Sequence, residues 1–289
     1  MRRKRTRRPP PRTQARPVPP DLPDSSDPPV RACEADWYHF PSWYDILHAP
    51  GTASEVNGLE RIERRFRGAA AGRGAWLEPG CGSGRYLRLA AARGRRVIGL
   101  DLRPEMIDYA RRCFARRGLQ GGLFVADMTR FRTQRPIGFA FCLINTIRHL
   151  PSDRAMLDHF ASIARALRPD GVYAVGIELS RYGAQFPSED TWEGRRGVVR
   201  VQQVAQYQPP DRRGRMERVV SHLVVTTPGG EQHLTSAYGL RSYNQREWDG
   251  LVARSALREI GLCGPDAADC LLGPAGVVGG YAVRVLAPR

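Results

Sequence analysis

Short apolar segments alternate along the chain with segments in which apolar residues recur every three or four positions. The first pattern predicts buried strands, and the second predicts amphipathic helices. Strands that alternate with helices predict a parallel sheet covered by helices on both faces. The predicted strands begin with one at Trp76 and continue at 97–100, 122–126, 139–144, 172–177, 257–263 and 280–286, and the predicted helices cover 85–92, 104–117 and 153–167.

A glycine-rich turn joins the first predicted strand to the first predicted helix. Gly80, Gly82 and Gly84 remove side chains where the strand turns into the helix, so backbone N–H groups can approach a ligand closely. We expect Ser83 to cap this helix. Asp101 directly follows the second predicted strand, where a carboxylate is well placed to bind the hydroxyls of a ribose.

Two common nucleotide-binding motifs do not fit this turn. A dinucleotide fingerprint requires a third glycine at a position that Arg85 or Leu87 occupies here. A phosphate-binding P-loop requires a lysine, and the one lysine of the chain is Lys4. The remaining pattern is an acid, Glu78, followed by three glycines at alternate positions. It closely resembles the first motif of class I S-adenosylmethionine (SAM) methyltransferases.

The resemblance implies a SAM site, with S-adenosylhomocysteine (SAH) as the product. In that family the loop and its acid face the methionine end of the cofactor, and the acid after the second strand binds the ribose. By the same resemblance, Asp127 accepts a hydrogen bond from the adenine amino group and Met128 lies beside the ring. The cofactor-binding residues expected on these grounds are Glu78, Gly80, Cys81, Gly82, Gly84, Asp101, Leu102, Asp127, Met128 and Asn145.

The resemblance covers roughly residue 37 to the C-terminus. It implies an α/β fold with a doubly wound, mostly parallel, seven-stranded sheet, the Rossmann-like methyltransferase fold. We expect residues 31–289 to form this domain, with an N-terminal lid and helix in 31–70. Period-two segments separated by Pro- and Gly-rich turns predict an antiparallel β meander inserted at 192–243, on the substrate side, with strands at 197–207, 216–227 and 232–243.

Candidate substrate-binding residues come mainly from these two added segments. Tyr44 and Asp45 resemble the Tyr-Asp element of small-molecule methyltransferases, in which the tyrosine borders the methyl group; a hydrophobic plug for the first helix is the alternative. Arg241 and Tyr243 resemble an Arg-x-Tyr element that borders such pockets, whereas ordinary strand surface or a dimer contact would explain the same residues. The substrate-binding candidates are Tyr38, Glu178, Arg241 and Tyr243.

His149 is the first candidate for a catalytic base, and Tyr44 is the second. The segment from Asn145 to Leu150 follows the fourth strand and resembles the Asn-Ser-x-x-His-Leu segment of amino-sugar and glycine N-methyltransferases. An imidazole titrates near neutral pH, which suits the acceptance of a proton from an amine or a hydroxyl. A histidine that only bonds backbone at a strand end is the alternative.

The composition indicates a basic N-terminal segment and a cytoplasmic protein. The net charge is +16, with 44 arginines, and the segment 1–30 holds eight basic and three acidic residues. This Arg- and Pro-rich segment has no apolar periodicity, so we expect it to be disordered. The six cysteines show no metal-ligand spacing and are expected to be reduced thiols of a cytoplasmic protein, without a metal. No apolar run is long enough to span a membrane.

These observations predict an enzyme that transfers the methyl group of SAM by in-line displacement to a nitrogen or oxygen of a small polar molecule. One alternative is an RNA or protein methyltransferase docked by the basic tail, although scattered helical arginines make nucleic acid the less favoured partner. A SAM-binding regulator without catalysis is another alternative. Either a monomer or a homodimer is compatible with the sequence.

Overall fold

The computed structural model describes residues 31–34, 36–264, 270–272 and 280–289. The segment 1–30 lies outside the described residues, so its disorder stays a prediction. The strands, in chain order, are β1 (Arg31–Glu34), β2 (Ala75–Pro79), β3 (Val97–Asp101), β4 (Gly122–Val125), β5 (Ile137–Cys142), β6 (Leu167–Leu179), β7 (Ser188–Arg196), β8 (Val199–Gln208), β9 (Met216–Thr227), β10 (Gly230–Arg241), β11 (Leu257–Cys263), β12 (Cys270–Leu272) and β13 (Gly280–Pro288). The α-helices are α1 (Pro41–His48), α2 (Thr52–Arg67), α3 (Arg85–Ala92), α4 (Pro104–Ala115), α5 (Asp153–Ala166) and α6 (Gln245–Ala253).

Eight strands form the main sheet, in the order β12-β11-β13-β6-β5-β2-β3-β4. β2 to β6 pair in parallel, and β13 runs antiparallel to both β6 and β11. The predicted seven-stranded, mostly parallel sheet is therefore confirmed, with the short strand β12 added beside β11. The chain places β3 on one side of β2 and β5 on the other. This switch in direction opens a crevice at the carboxyl ends of these strands.

The central strands are apolar throughout because both faces of the sheet are covered. On β5, Ala140 and Cys142 pack into one core cluster together with residues of α5 and α6. The alternate residues Phe139 and Phe141 pack into a second cluster, on the side of α2, α3 and α4. Neighbouring residues of a strand point to opposite faces, so a continuous apolar run supplies both cores.

The predicted meander is a separate sheet with the strand order β1-β10-β9-β8-β7. The three predicted strands correspond to β8, β9 and β10, which pair antiparallel. The sequence did not predict β7 as a strand, because its residues are mostly polar. In the structure, Gly194 is the one residue of β7 that is buried. β1 adds to β10 in parallel, a long-range pairing that no local pattern indicates.

The N-terminal segment packs against this second sheet. A short 3-10 helix, Trp37–His39, precedes α1, which begins at Pro41. Trp37 and Ile46 are buried in one cluster with Val201 of β8 and neighbouring apolar residues of β9 and β10. The backbones approach so closely that a Cβ atom on Gly194 would lie 2.0 Å from the Ile46 carbonyl oxygen. The segment 37–48 therefore lies directly against the second sheet.

The cysteines follow the expectation of reduced thiols only in part. Cys81, Cys113 and Cys142 are buried and free. Cys263, at the end of β11, forms a disulfide bond, so the expectation is wrong at that position. The six cysteines have no regular spacing, so the sequence pattern did not indicate this bond. Within the described residues, no helix is both long and apolar enough to cross a membrane.

Candidate active site

The glycine turn lies at the carboxyl end of β2 and adopts backbone conformations that favour glycine. Gly80 has φ +70° and Gly82 has φ +50°. A Cβ on Gly80 would lie 2.7 Å from the Thr146 methyl carbon, and one on Gly82 would lie 3.3 Å from the Tyr44 ring. The turn therefore forms a cradle that only glycine leaves open.

The helix after the turn begins without the predicted side-chain cap. Gly84, with φ +71°, is the N-cap residue of α3, and it packs against Ala110 of α4. The Ser83 hydroxyl instead donates to the Asp45 carboxylate at 2.7 Å. Gly84 occupies the N-cap position, so Ser83 lies one residue too early in the chain to cap the helix. The cap prediction for Ser83 was wrong for that reason.

Asp101 ends β3 and contacts the turn directly. Its Oδ2 accepts a hydrogen bond from the Gly82 backbone N–H at 2.8 Å, and its Oδ1 accepts from the Arg103 N–H at 3.0 Å. Burial raises the pKa of this carboxyl, and the two backbone donors oppose that rise. The carboxylate thus fixes the loop and keeps further lone pairs for a ligand.

Glu78 lies beneath the turn with 5% of its surface exposed. Its Oε2 atom is buried and has no hydrogen-bond partner among the described residues. Burial is the main cause that raises the pKa of this carboxyl well above its usual range, and the negative charges of Asp101 and Glu55 raise it further. A buried carboxyl oxygen without a partner is costly unless a ligand supplies a donor.

A cleft of about 510 Å³ opens from the turn between β3, β5 and the N-terminal segment. Leu102, on its wall, leaves 69% of its surface exposed, although it is apolar. Glu78 and Cys81 border a small adjoining space that shares Tyr44 and Gly80 with the cleft. The predicted site residues that line the main cleft are Tyr38, Tyr44, Gly80, Gly82, Asp101, Leu102, Asp127, Met128 and His149.

A strained turn after β5 carries His149 to the mouth of the cleft. Ile144 and Asn145 both have left-handed backbone, with φ +48° and +60°. The Asn145 Oδ1 accepts from the Glu178 N–H at 2.8 Å, and the Ile144 N–H donates to the Tyr281 hydroxyl at 2.9 Å. Asn145, expected at the cofactor, thus holds the turn to β6 and is not among the residues that line the cleft.

Two tyrosines from different parts of the chain surround His149. The Tyr38 hydroxyl lies 3.2 Å from His149 Nε2. Tyr238 of β10 stacks on the imidazole, with ring centroids 5.6 Å apart, and meets the Tyr38 ring edge-on at 6.2 Å. The imidazole faces the open cleft, yet desolvation by the surrounding protein and the charges of Arg148 and Arg103 lower its pKa to about 4. His149 is therefore neutral at physiological pH.

Arg148 and Tyr238 are the site residues that sequence reasoning missed. The Arg148 side chain is buried, and it donates to the Glu217 carboxylate at 2.7 Å and to the Arg241 carbonyl oxygen at 2.9 Å. These bonds attach the short helix Thr146–His149 to β9 and β10. Arg148 lies in a loop and Tyr238 in an alternating strand. Neither pattern indicates in the sequence that the residue lies where the two sheets meet.

The remaining substrate-binding candidates lie apart from the cleft. Arg241 donates to the Asp153 carboxylate at 3.3 Å, at the start of α5. Tyr243 is fully buried in the main core, and burial raises the pKa of its phenol to about 12. Glu178 is half-buried at the end of β6, and burial also raises the pKa of its carboxyl. The structure therefore brings Tyr38 to the cleft and places Arg241 and Tyr243 outside it.

Residues 77–171 match the family described as a methyltransferase domain. The chain is also 26% identical over 184 residues to dTDP-3-amino-3,4,6-trideoxy-alpha-D-glucopyranose N,N-dimethyltransferase of Streptomyces venezuelae, covering 63% of this chain and 74% of that protein. It is 30% identical over 135 residues to dTDP-3-amino-3,6-dideoxy-alpha-D-glucopyranose N,N-dimethyltransferase of Streptomyces fradiae, covering 46% of this chain and half of that protein.

The fold is similar to that of the crystal structure of DesVI from Streptomyces venezuelae. The TM-score is 0.68 with 22% identity, and the match covers 89% of this chain and 100% of that one. The chain therefore contains a methyltransferase domain in residues 77–171 and has the fold of the similar structure. SAM is accordingly its methyl donor, and the seven-stranded sheet is that of this fold.

The residues of this methyltransferase that border the turn fit SAM. The unpaired Oε2 of Glu78 is available to an ammonium group, and the cradle at Gly80 and Gly82 admits a ligand against backbone. Leu102 exposes apolar surface to the same cleft, which suits a flat ring. Among the described residues, no cluster of His, Cys, Asp or Glu side chains is arranged to hold a metal ion.

Proposed function

We propose that this methyltransferase methylates an amino group of a small, polar, sugar-like molecule. The observation that carries the proposal is the position of His149, Tyr38 and Tyr238 at the mouth of the cleft, where the second sheet covers the carboxyl edge of the main sheet. The cleft of about 510 Å³ has a size that suits a small acceptor. The two similar Streptomyces proteins reported above are N,N-dimethyltransferases, which supports nitrogen over oxygen.

The cofactor side of the proposal assigns a role to each residue around the turn. Glu78 binds the ammonium group at the methionine end, and the loop backbone at Gly80 and Gly82 lies against the same part. Asp101 binds the ribose hydroxyls, while Leu102 and Met128 lie against the adenine. Asp127, whose Oδ1 already accepts from the Thr129 N–H, keeps a second oxygen for the adenine amino group. Bound SAM supplies an electrophilic methyl carbon.

The acceptor side of the proposal depends on alignment. Holding an amine in line with the methyl–sulfur bond lowers the activation free energy by about 7–11 kcal/mol, because the translational and rotational entropy is already lost when the acceptor binds. Tyr44 covers the turn at Gly82 and Tyr38 closes the mouth, and both exclude water. His149, being neutral, accepts or donates a hydrogen bond to the acceptor without repelling a positive charge. Its low pKa makes it a positioning group rather than a strong base.

Replacing His149 with alanine should lower kcat roughly tenfold, the scale of one hydrogen bond, because the acceptor loses a fixed partner. SAH affinity should change by less than about twofold, since His149 lies at the mouth and not at the turn. The ratio of wild-type to variant kcat should stay constant between about pH 6 and pH 8, and fall towards one below the pKa of about 4, as the imidazole becomes charged. A loss of about a hundredfold or more would instead show a general base.

Incubation with SAM and a panel of amino sugars, with mass detection of the products, tests the proposed acceptor. We expect a gain of one or two methyl groups on the amine. Matched sugars that carry a hydroxyl in place of the amine should not react. Deletion of residues 1–30 should leave this turnover unchanged. Methylation of RNA or protein that requires residues 1–30 and falls steeply with added salt would overturn the proposal.

A further inference from the structure

Asp45 is a buried carboxylate on α1 that binds side chains from four other parts of the chain. Its Oδ1 accepts from the Ser83 hydroxyl at 2.7 Å and from the Arg88 guanidinium. Its Oδ2 accepts from the Tyr109 hydroxyl at 2.9 Å and from the Arg196 guanidinium at 2.8 Å. Burial alone would raise the pKa of Asp45, but Arg88 and the other donors hold it below its usual value. The carboxylate is therefore charged and fully coordinated.

Two of these contacts bear on the cofactor turn. Ser83 directly follows Gly82, so Asp45 holds the turn at the point where α3 begins. Tyr44 directly precedes Asp45, and its ring covers Gly82. Moving Asp45 would displace both the turn and the ring above it. Asp45 itself does not border the cleft.

Arg196 is the contact that comes from the second sheet. It ends β7, and its guanidinium also donates to the Tyr109 hydroxyl at 3.1 Å. Its side chain is about half exposed and does not border the cleft either. Because Gly194 of the same strand lies against the Ile46 backbone, β7 and α1 cannot shift independently. The path from Arg196 through Asp45 to Ser83 is thus continuous from the acceptor-side sheet to the cofactor turn.

We infer that Asp45 is a positioning residue through which β7 of the second sheet sets the affinity of the glycine turn for SAM. The inference rests on the SAM site proposed above. With Arg196 in place, the carboxylate holds Ser83 and Tyr44 in the geometry that closes the turn. Without Arg196, the Oδ2 atom keeps only the Tyr109 hydroxyl among the donors described above, so the carboxylate is held less firmly and the turn at Ser83 loses part of its support.

Calorimetry with SAH on the intact 289-residue chain tests the inference without relying on turnover. Asp45→Asn keeps the size of the side chain but removes its charge, and it should weaken SAH binding roughly tenfold. Arg196→Gln should weaken binding about three- to tenfold although it lies outside the cleft, and Arg196→Lys should recover part of that loss. Arg195→Gln is the matched control and should bind SAH as the wild type does, because the one hydrogen bond of its side chain within the described residues is to the Gly197 carbonyl oxygen.

The double variant separates coupling from two local effects. Arg196→Gln should add little to the loss caused by Asp45→Asn, since both remove the same path. The melting temperature of ligand-free Arg196→Gln should match that of Arg195→Gln, which excludes general unfolding as the cause. SAH affinity within about twofold of the wild type in both single variants would overturn the inference. Failure of the wild type itself to bind SAH would instead overturn the SAM site.

Discussion

Replacing Asp101 with alanine should weaken SAH binding by about 1.5–3 kcal/mol, or roughly 10- to 150-fold. The side chain makes two kinds of contact that the variant loses together. It accepts from the Gly82 and Arg103 backbone amides, so it orders the turn before the ligand arrives. In the proposed site it also receives the ribose hydroxyls. Isothermal titration calorimetry measures the change directly.

The control for this prediction is an aspartate on α4, the helix that follows the same strand. Asp108 lies on the exposed side of α4 and forms one long surface pair with Arg111, at 3.4 Å. Asp108→Ala should therefore bind SAH as the wild type does. Equal affinities of Asp101→Ala and the wild type would contradict the ribose assignment and the role of the carboxylate in ordering the turn.

The cofactor half of the site is predictable from the sequence because its parts are local. Gly80, Gly82 and Glu78 lie within five positions, and the strand and helix that flank them show clear apolar patterns. Asp101 follows a second clear strand. Parallel strands bring their carboxyl ends to one edge, so a topology read from the pattern is sufficient to place these residues together.

The acceptor half is not predictable in the same way because its contacts join distant segments. Tyr38 and His149 are 111 residues apart, and Tyr238 reaches them from the second sheet. The resemblance placed Arg241 and Tyr243 at the pocket, but their side chains turn towards α5 and the main core. In an alternating strand a shift of one residue reverses the face, and the local pattern did not fix that choice.

The polar strand β7 and the buried arginines of α3 show a second reason why the sequence pattern does not predict the whole fold. Every residue of β7 except Gly194 is exposed, so buried and exposed residues do not alternate along this strand. Arg85 and Arg88 of α3 were expected on no particular face, yet both are buried and paired with Glu55 and Asp45. A hydropathy pattern predicts that an arginine is exposed. A buried arginine is paired with a carboxylate, and the pattern does not show which carboxylate lies beside it in the fold.

Replacing Glu63 with alanine should lower the free energy of unfolding by about 3–5 kcal/mol. Glu63 is fully buried on α2 and lies between the Arg67 and Arg95 guanidiniums, each at 3.0 Å. It also accepts from the Trp76 indole N–H at 3.1 Å and the Gly72 backbone N–H at 3.0 Å. Removing the carboxylate leaves buried donors and positive charge without compensation. Chemical denaturation measures the loss.

A surface pair and a conservative variant make this prediction specific to burial. Glu193 and Arg200 pair at 2.7 Å with both side chains about half exposed, so Glu193→Ala should cost no more than about 1 kcal/mol. Glu63→Gln keeps an acceptor oxygen for the indole and should therefore fall between the wild type and Glu63→Ala. If Glu63→Ala and Glu193→Ala lost the same stability, the buried network would contribute no more than a solvated pair, and α2 would be held to β2 by apolar contacts alone.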